Sequence, residues 1–222
     1  MLETLNQKLI VSCQAPPDSP LYEPDIIAAM AKTAIQRGAA AVRIDTPAHV
    51  HAVRQLLPQT PIIGLWKQKT PNSQVYITPR FSDAVAIAEA GANIIAIDAT
   101  QRPRPDGETV PDIIEHIHHT LNKPVMADID TLENAQFAID AGADVVGTTL
   151  FGYTQETATQ TPPGWDILRE LAANSPIPVI CEGGIATPDM AKQALDLGAY
   201  AVVVGTAITG IDLKVMEFQK VF

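Results

Sequence analysis

The chain has 222 residues, which suits one ordinary domain or a single α/β barrel. Hydrophobic residues make up 46% of it and charged residues 18%, so it can bury a large core and need not be disordered. The formal net charge of −10 argues against nucleic acid or an anionic membrane as the main binding partner. No apolar run approaches the roughly 20 residues of a membrane-spanning helix. Two distant cysteines and an N-terminal segment without signal-peptide character predict a cytoplasmic protein with reduced thiols.

Eight short apolar runs alternate with segments of helical periodicity along the chain. Four of the runs follow a Gly-Ala corner, and three others are entered through proline. Glycine ends many helices because it tolerates the left-handed backbone there, so each corner predicts the passage from a helix to a strand. In chain order the predicted strands lie within residues 9–14, 38–45, 61–67, 91–98, 124–128, 142–149, 178–182 and 198–205.

The segments between the strands carry apolar residues at intervals of three and four, as at Ile27, Met30 and Ala34. Strands that are apolar throughout and alternate with helices indicate a parallel sheet covered on both faces. A doubly wound open sheet competes with a closed barrel. The repeat about every two units favours closure, because alternate strands of a barrel fill alternate core layers. The predicted fold is a single-domain α/β protein, a (β/α)8 TIM barrel over residues 1–222.

Polar residues end nearly every predicted strand, and this end of a TIM barrel is the one that carries the active site. Such side chains are costly beside apolar strands unless they meet a ligand, water or one another. The ring could consist of structural ion pairs, but its completeness favours a site. In chain order it comprises Gln14, Arg43, Asp45, Lys67, Asp98, Thr100, Asp128, Asp130, Thr148, Thr149, Glu182, Gly205 and Thr206.

Lys67 is the one lysine predicted at the C-terminal end of a strand, and Glu182 ends the seventh strand across the barrel. A lysine partly withdrawn from water can lose its proton near neutral pH and act as a base or attack a carbonyl. Burial lowers the pKa of a lysine and a nearby carboxylate raises it, so the net direction stays open. The two groups could therefore relay a proton. A lysine that forms a Schiff base, as in an aldolase or lyase, and a barrel that binds its ligand without catalysis are the alternatives.

Two glycine-containing turns follow the last two predicted strands, at Gly183-Gly184 and Gly205-Thr206. Glycines there let backbone N–H groups face an anion, and TIM barrels commonly bind phosphate after strands 7 and 8. Each turn alone would be only a tight turn, but the two together predict a phosphate site.

Metal and cofactor sites have no support in the sequence. The five histidines fall on predicted helices, so we expect solvated side chains and neither a catalytic histidine nor a metal site. Cys181 neighbours Glu182 and should therefore point the opposite way, into the helix layer. No Gly-x-Gly-x-x-Gly follows the first strand, which gives a dinucleotide cofactor no support.

The last segment, residues 211–222, is predicted to be a closing helix with apolar residues around much of its circumference. It could be buried deeply against its own barrel. Alternatively it covers a second subunit, and we predict a homodimer that depends on this helix.

Three motifs resemble the bacterial N-acetylmannosamine-6-phosphate 2-epimerases. They are LIVSCQ with DSPL in residues 9–21, IDATQRPRP in 97–105 and GTTLFGYT in 147–154, and the resemblance covers nearly the whole chain. It implies a TIM barrel without a cofactor, often dimeric, that interconverts N-acetylmannosamine-6-phosphate and N-acetylglucosamine-6-phosphate in amino-sugar and sialic acid breakdown. The roles that it implies are a catalytic lysine at Lys67, its carboxylate partner at Glu182, and substrate contacts from Gln14, Arg43 and Asp128. Thr149, from the ring of strand ends, is predicted as a further substrate contact.

The chain departs from the usual pattern of this family at three positions. Gln68 stands where an arginine usually follows the catalytic lysine, and Gly210 stands where an arginine is common. Asp130 stands where serine is usual. The changes at 68 and 210 each remove a positive charge near the predicted site.

Overall fold

The computed structural model describes residues 2–222 and shows the predicted TIM barrel, a closed cylinder of eight parallel strands. Each strand pairs with its neighbours in chain order, and the first strand pairs with the last to close the barrel. The strands are β1 (Lys8–Cys13), β2 (Ala41–Asp45), β3 (Ile62–Leu65), β4 (Ile94–Asp98), β5 (Val125–Asp128), β6 (Val145–Gly147), β7 (Val179–Cys181) and β8 (Ala201–Val204).

Helices follow the strands and form the outer layer. They are α1 (Pro24–Gln36), α2 (Pro47–Leu56), α3 (Phe81–Glu89), α4 (Val110–His116), α5 (Leu132–Asp140), α6 (Trp165–Asn174), α7 (Pro188–Asp196), α8 (Thr206–Thr209) and α9 (Ile211–Gln219). A π-helical turn, Ile117–Leu121, extends α4. Within residues 2–222, no helix has the length and apolar character needed to cross a membrane.

Local sequence signals set the ends of these helices. Four helices begin at a threonine whose hydroxyl accepts a backbone N–H of the first turn, and these are Thr46, Thr109, Thr131 and Thr187. The glycines of the four Gly-Ala corners have φ angles of 96° to 109°, which residues with a Cβ rarely adopt. The corners therefore mark the helix-to-strand passages as the sequence predicts.

Residues of each strand alternate between two apolar layers. The inner layer fills the barrel with one or more side chains from every strand, namely Ile10, Ala41, Ile63, Ile94, Met126, Val145, Ile180 and Val203. The outer layer lies between strands and helices and includes Cys13 and Cys181. The prediction that Cys181 faces the helices is confirmed, and burial raises the pKa of each thiol to about 12.

The third strand is shorter than predicted. It ends at Leu65, because the N–H of Trp66 turns to the hydroxyl of Thr78 at 3.1 Å instead of continuing the ladder. Lys67 then forms an isolated antiparallel bridge with Ile77, and the segment 66–78 folds back as a short hairpin over the barrel mouth. The prediction that the strand itself reaches Lys67 is therefore wrong by two residues.

His49 corrects another expectation, that all the histidines are solvated. It lies on α2 but is only 3% exposed. Its ring contacts two backbone carbonyl oxygens, that of Asp45 at 3.1 Å and that of Tyr22 at 2.6 Å. The ring ties α2 to the loop after β1, which a helical periodicity could not reveal.

Candidate active site

The alternation of the strands brings most of the predicted polar ring together at the C-terminal mouth of the barrel. Arg43, Asp98 and Asp128 occupy inward positions that continue the rows of Ala41, Ala96 and Met126. Gln14, Lys67 and Glu182 follow one or two residues beyond their strands, again at inward positions. Hydrogen bonds and ion pairs then connect Gln14 with Lys67, and Arg43 with Asp128 and Glu182.

Arg43 and Asp128 form a buried ion pair at the centre of the mouth. The two Nη atoms of Arg43 donate to Oδ1 and Oδ2 of Asp128 at 3.1 Å and 2.6 Å, and neither side chain is more than 2% exposed. Burial alone would lower the pKa of Arg43, but the carboxylates of Asp128 and Glu182 raise it above its ordinary value. The guanidinium is therefore a fixed positive charge facing the mouth.

Glu182 lies beside this pair and is largely withdrawn from water. Its Oε1 is 3.2 Å from Nε of Arg43, although that nitrogen makes no well-aligned hydrogen bond within residues 2–222. Burial raises the pKa of Glu182 to about 7, against the opposing effect of Arg43. A carboxyl group with such a pKa can gain or lose a proton near neutral pH, as proton-transfer catalysis requires.

Lys67 faces the same space from the third unit. Its Nζ donates to Oε1 of Gln14, and its backbone N–H donates to Oδ1 of Asp45 at 2.9 Å. The side chain reaches solvent through the open mouth, but the surrounding walls enclose it. This desolvation lowers the pKa of Lys67 even though the carboxylate of Asp45 acts in the opposite direction. The direction that the sequence left open is thus towards the neutral amine.

Thr149 connects the two carboxyl groups of the mouth. Its Oγ1 lies 2.6 Å from Oδ1 of Asp128 and 3.2 Å from Oε2 of Glu182. Gly147 makes room for this arrangement, because a Cβ there would lie 2.4 Å from Cε of Met126 and 3.0 Å from the Thr149 hydroxyl. Thr148 points elsewhere, and its hydroxyl binds the backbone N–H and C=O of Glu182 at 3.1 Å and 2.9 Å.

A second polar group borders the mouth on the side of β4. Oδ2 of Asp98 accepts from Nη2 of Arg102 at 2.5 Å, and Oδ1 accepts from the hydroxyl of Thr100 at 2.7 Å. Tyr76, on the hairpin, packs against the inner apolar layer, and burial raises its pKa to about 12, with Asp128 and Asp98 adding to the effect. The sequence carried no signal for Tyr76, because it lies in a long loop and ends no strand.

The predicted phosphate turns present free backbone N–H groups. Those of Gly183, Gly184, Gly205 and Thr206 donate to no protein acceptor in the part of the chain that the structure describes. Gly184 has φ of 72°, and a Cβ there would lie 2.6 Å from the backbone of Pro162. The turn after β7 therefore needs glycine for its conformation and for its close approach to the neighbouring loop.

No group of three or more His, Cys, Asp or Glu side chains within residues 2–222 is arranged to hold a metal ion.

Comparison with known proteins adds to this geometry. Residues 27–221 match the family model described as "Putative N-acetylmannosamine-6-phosphate epimerase". The chain belongs to this epimerase family. It is therefore an enzyme of the isomerase class, as the sequence motifs indicate.

Relatives and a solved structure of the epimerase family match nearly the full length. A relative with this family name from Thermosynechococcus vestitus is 65% identical over 95% of this chain and 91% of its own. Another, from Synechococcus elongatus, is 62% identical over 98% and 94%. A structure titled as the N-acetylmannosamine-6-phosphate 2-epimerase from Clostridium perfringens covers 100% of this chain and 96% of its own, with 40% identity and a TM-score of 0.95. A 3-hexulose-6-phosphate synthase from Salmonella typhimurium, at 18% identity and a TM-score of 0.65, shares the fold alone.

Two departures from the usual pattern of the epimerase family have local structural reasons. Asp130 is buried away from the Arg43 pair, and its carboxylate accepts from Asn134 at 2.7 Å and Thr154 at 2.6 Å. It therefore joins α5 to the loop after β6. Gly210 joins α8 to α9 where a Cβ would lie 2.8 Å from the backbone of Thr206, so an arginine would need a different junction. Nothing in the structure explains Gln68.

Proposed function

We propose that this protein interconverts N-acetylmannosamine-6-phosphate and N-acetylglucosamine-6-phosphate by removing the proton at carbon 2 and returning it to the other face. The observation that carries the proposal is the pairing of Lys67, whose pKa is lowered, with Glu182, whose pKa is raised to about 7, in one barrel mouth. Lowering the pKa of the amine and raising the pKa of the carboxyl group bring the two proton affinities closer together, which favours moving a proton in this site. Membership of the epimerase family supports the same reaction.

The reaction needs the ring-opened sugar, in which carbon 2 lies next to an aldehyde. Neutral Lys67 takes the proton from carbon 2, and the electron pair of the broken C–H bond moves into the carbonyl to form an enolate. The fixed positive charge of the Arg43 guanidinium stabilises the developing negative charge. Returning the proton to the opposite face of carbon 2 gives the epimer, with Glu182 helping the transfer.

Gln14 and the two glycine-containing turns complete the proposed site. Gln14 orients the amine of Lys67 through its side-chain oxygen. The free N–H groups of Gly183, Gly184, Gly205 and Thr206 suit the phosphate, which is anchored away from the reacting carbon. Such a local site can bind an anion although the whole chain carries a net charge of −10.

Proton NMR in deuterated water tests this function. We expect added enzyme to convert N-acetylmannosamine-6-phosphate into N-acetylglucosamine-6-phosphate and to replace the hydrogen at carbon 2 with deuterium. The unphosphorylated sugar is the control for the phosphate anchor and should react far more slowly. Borohydride added with substrate should leave no covalent adduct on Lys67. An adduct without interconversion would favour a Schiff-base enzyme instead.

The proposed reaction implies a cellular role. We propose that the enzyme acts in amino-sugar catabolism, within the breakdown of sialic acid, as the family resemblance implies. The predicted location is the cytoplasm, and the two free, buried cysteines suit a reducing compartment.

The C-terminal helix supports a homodimer. No residue of α9 is buried in the single chain, so the alternative that it packs deeply against its own barrel is wrong. Val215, Met216 and Phe218 are 60%, 64% and 69% exposed, and Phe222 is 95% exposed. A contiguous apolar surface of this kind is typical of an interface, and a second copy of the chain offers the same surface in return.

Light scattering at micromolar concentration checks this assembly. We expect the mass of a dimer for the full chain and of a monomer for Phe218→Asp, because the new charge would be buried in the interface. Gln219→Asp adds the same charge at a neighbouring polar position and should disturb assembly less. A monomeric full-length protein would contradict the proposal.

A further inference from the structure

The Thr149 hydroxyl has one proton and two carboxyl neighbours. Its 2.6 Å distance to Oδ1 of Asp128 is typical of a hydroxyl donating to an ionised carboxylate. The bidentate pair with Arg43 holds Asp128 as an ionised carboxylate, so Asp128 is the better acceptor for the hydroxyl proton. The contact of 3.2 Å with Oε2 of Glu182 is then a hydrogen bond only where Glu182 supplies the proton.

We propose that Thr149 is a positioning residue that holds Glu182 in its protonated form, accepting a hydrogen bond from Glu182 while donating its own to Asp128. The inference rests on the proposed epimerase function and deepens it. Thr149 thereby acts on the catalytic pair without contacting the sugar, which replaces the substrate contact that the sequence predicts for it.

The second oxygen of Glu182 fits this arrangement. Oε1 faces Nε of Arg43 at 3.2 Å without a well-aligned hydrogen bond, as suits the carbonyl oxygen of a neutral carboxyl group better than a full negative charge. Oε2, on the side of Thr149, is therefore the oxygen that carries the proton.

The charged and titratable groups around Glu182 together determine whether it is ionised or neutral. Burial and Asp128 from β5 favour the neutral form, whereas Arg43 from β2 and Lys67 from the hairpin favour the ionised form. A hydrogen bond donated by Thr149 to Glu182 would also favour the ionised form. Tyr153, from the loop after β6, and Cys181, on β7 itself, are affected by the charge of Glu182. With the Thr149 proton donated to Asp128, the contact is instead a hydrogen bond donated by protonated Glu182, and it favours the neutral form.

The consequence for catalysis concerns Lys67. An ionised Glu182 would raise the pKa of Lys67 by charge pairing, and a neutral Glu182 does not. Holding the proton on Glu182 thus favours the neutral state of Lys67 that a base needs. Thr149 and Asp128 thus influence the charge of Lys67 through Glu182.

The proposal predicts the direction of the pKa change in Thr149→Val, a substitution that keeps the side-chain shape and removes the hydroxyl. The midpoint of Glu182 titration should fall by about half to one pH unit, the effect of losing one hydrogen bond to the neutral form. Carbon-13 NMR of glutamate-labelled full-length enzyme measures this midpoint, and Glu182→Gln assigns the signal by its disappearance. The rising limb of the pH profile for kcat/KM should move to higher pH, because Lys67 becomes harder to deprotonate.

Thr149→Ser is the matched control, since it keeps the hydroxyl and should restore both midpoints to within a few tenths of a unit. It also tests the proposal if the valine variant does not fold. An upward shift of the Glu182 midpoint in Thr149→Val would show that the hydroxyl donates to an ionised Glu182, and would overturn the proposal. An unchanged midpoint, or a raised KM with an unchanged pH profile, would do the same. The NMR titration needs no turnover, so its result stands apart from the test of the epimerase reaction.

Discussion

Replacing Lys67 with alanine is expected to lower kcat/KM for epimerisation by about 10²–10⁴-fold, the usual effect of removing a general base. The fold should be retained, because within residues 2–222 the only side-chain hydrogen bond lost is that to Gln14. The backbone bond to Asp45 survives the substitution. Turnover and deuterium incorporation at carbon 2 should fall together, and thermal unfolding should be unchanged.

Two further variants test whether Lys67 acts as a base or only as a positive charge. Lys67→Arg keeps the charge but cannot lose its proton near neutral pH, so it should be as inactive as the alanine variant. Lys69→Ala removes the same charge from an exposed position two residues along the loop and should retain activity. Near wild-type turnover in Lys67→Ala would show that another group takes the proton.

Replacing Arg43 with glutamine is expected to lower the free energy of unfolding by about 3–5 kcal/mol, because it leaves the carboxylate of Asp128 buried without its cation. Asp128 is fully buried, and both its oxygens bind the guanidinium. Urea unfolding at neutral pH measures the loss as a lower midpoint at constant slope. Epimerisation should also fall, since the positive charge that stabilises the enolate is removed.

An exposed ion pair of similar length is the matched control. Lys192 and Asp196 approach to 2.5 Å but are 71% and 62% exposed, so Lys192→Gln should change the free energy of unfolding by about 1 kcal/mol or less. The double variant Arg43→Gln with Asp128→Asn should recover part of the stability lost in Arg43→Gln, because neither partner then leaves a charge unpaired. A loss in Arg43→Gln no larger than in Lys192→Gln would contradict the role of burial.

The architecture could be predicted from the sequence, because the signals for it are local. The Gly-Ala corners, the proline entries and the apolar runs each depend on a few neighbouring residues, and all eight strands lie where these signals predict. The positions of Arg43, Asp128 and Glu182 at the C-terminal ends of strands also placed them in the predicted ring at the barrel mouth. The family motifs are local as well, which is why the resemblance and the family match agree.

The pKa shifts in the mouth and the contacts between distant segments could not be predicted from the sequence and follow from the folded chain. The pKa of Lys67 is lowered by desolvation and raised by carboxylates from other units. No local sequence pattern predicts the net result. Thr149 contacts Asp128 and Glu182, which are 21 and 33 positions away in the chain, and His49 is buried only because the loop after β1 covers it. Even α9, apolar by sequence, could be assigned an exposed face only once its own barrel was seen to leave it uncovered. Desolvation and hydrogen bonding depend on distances in space, which spacing along the chain does not determine.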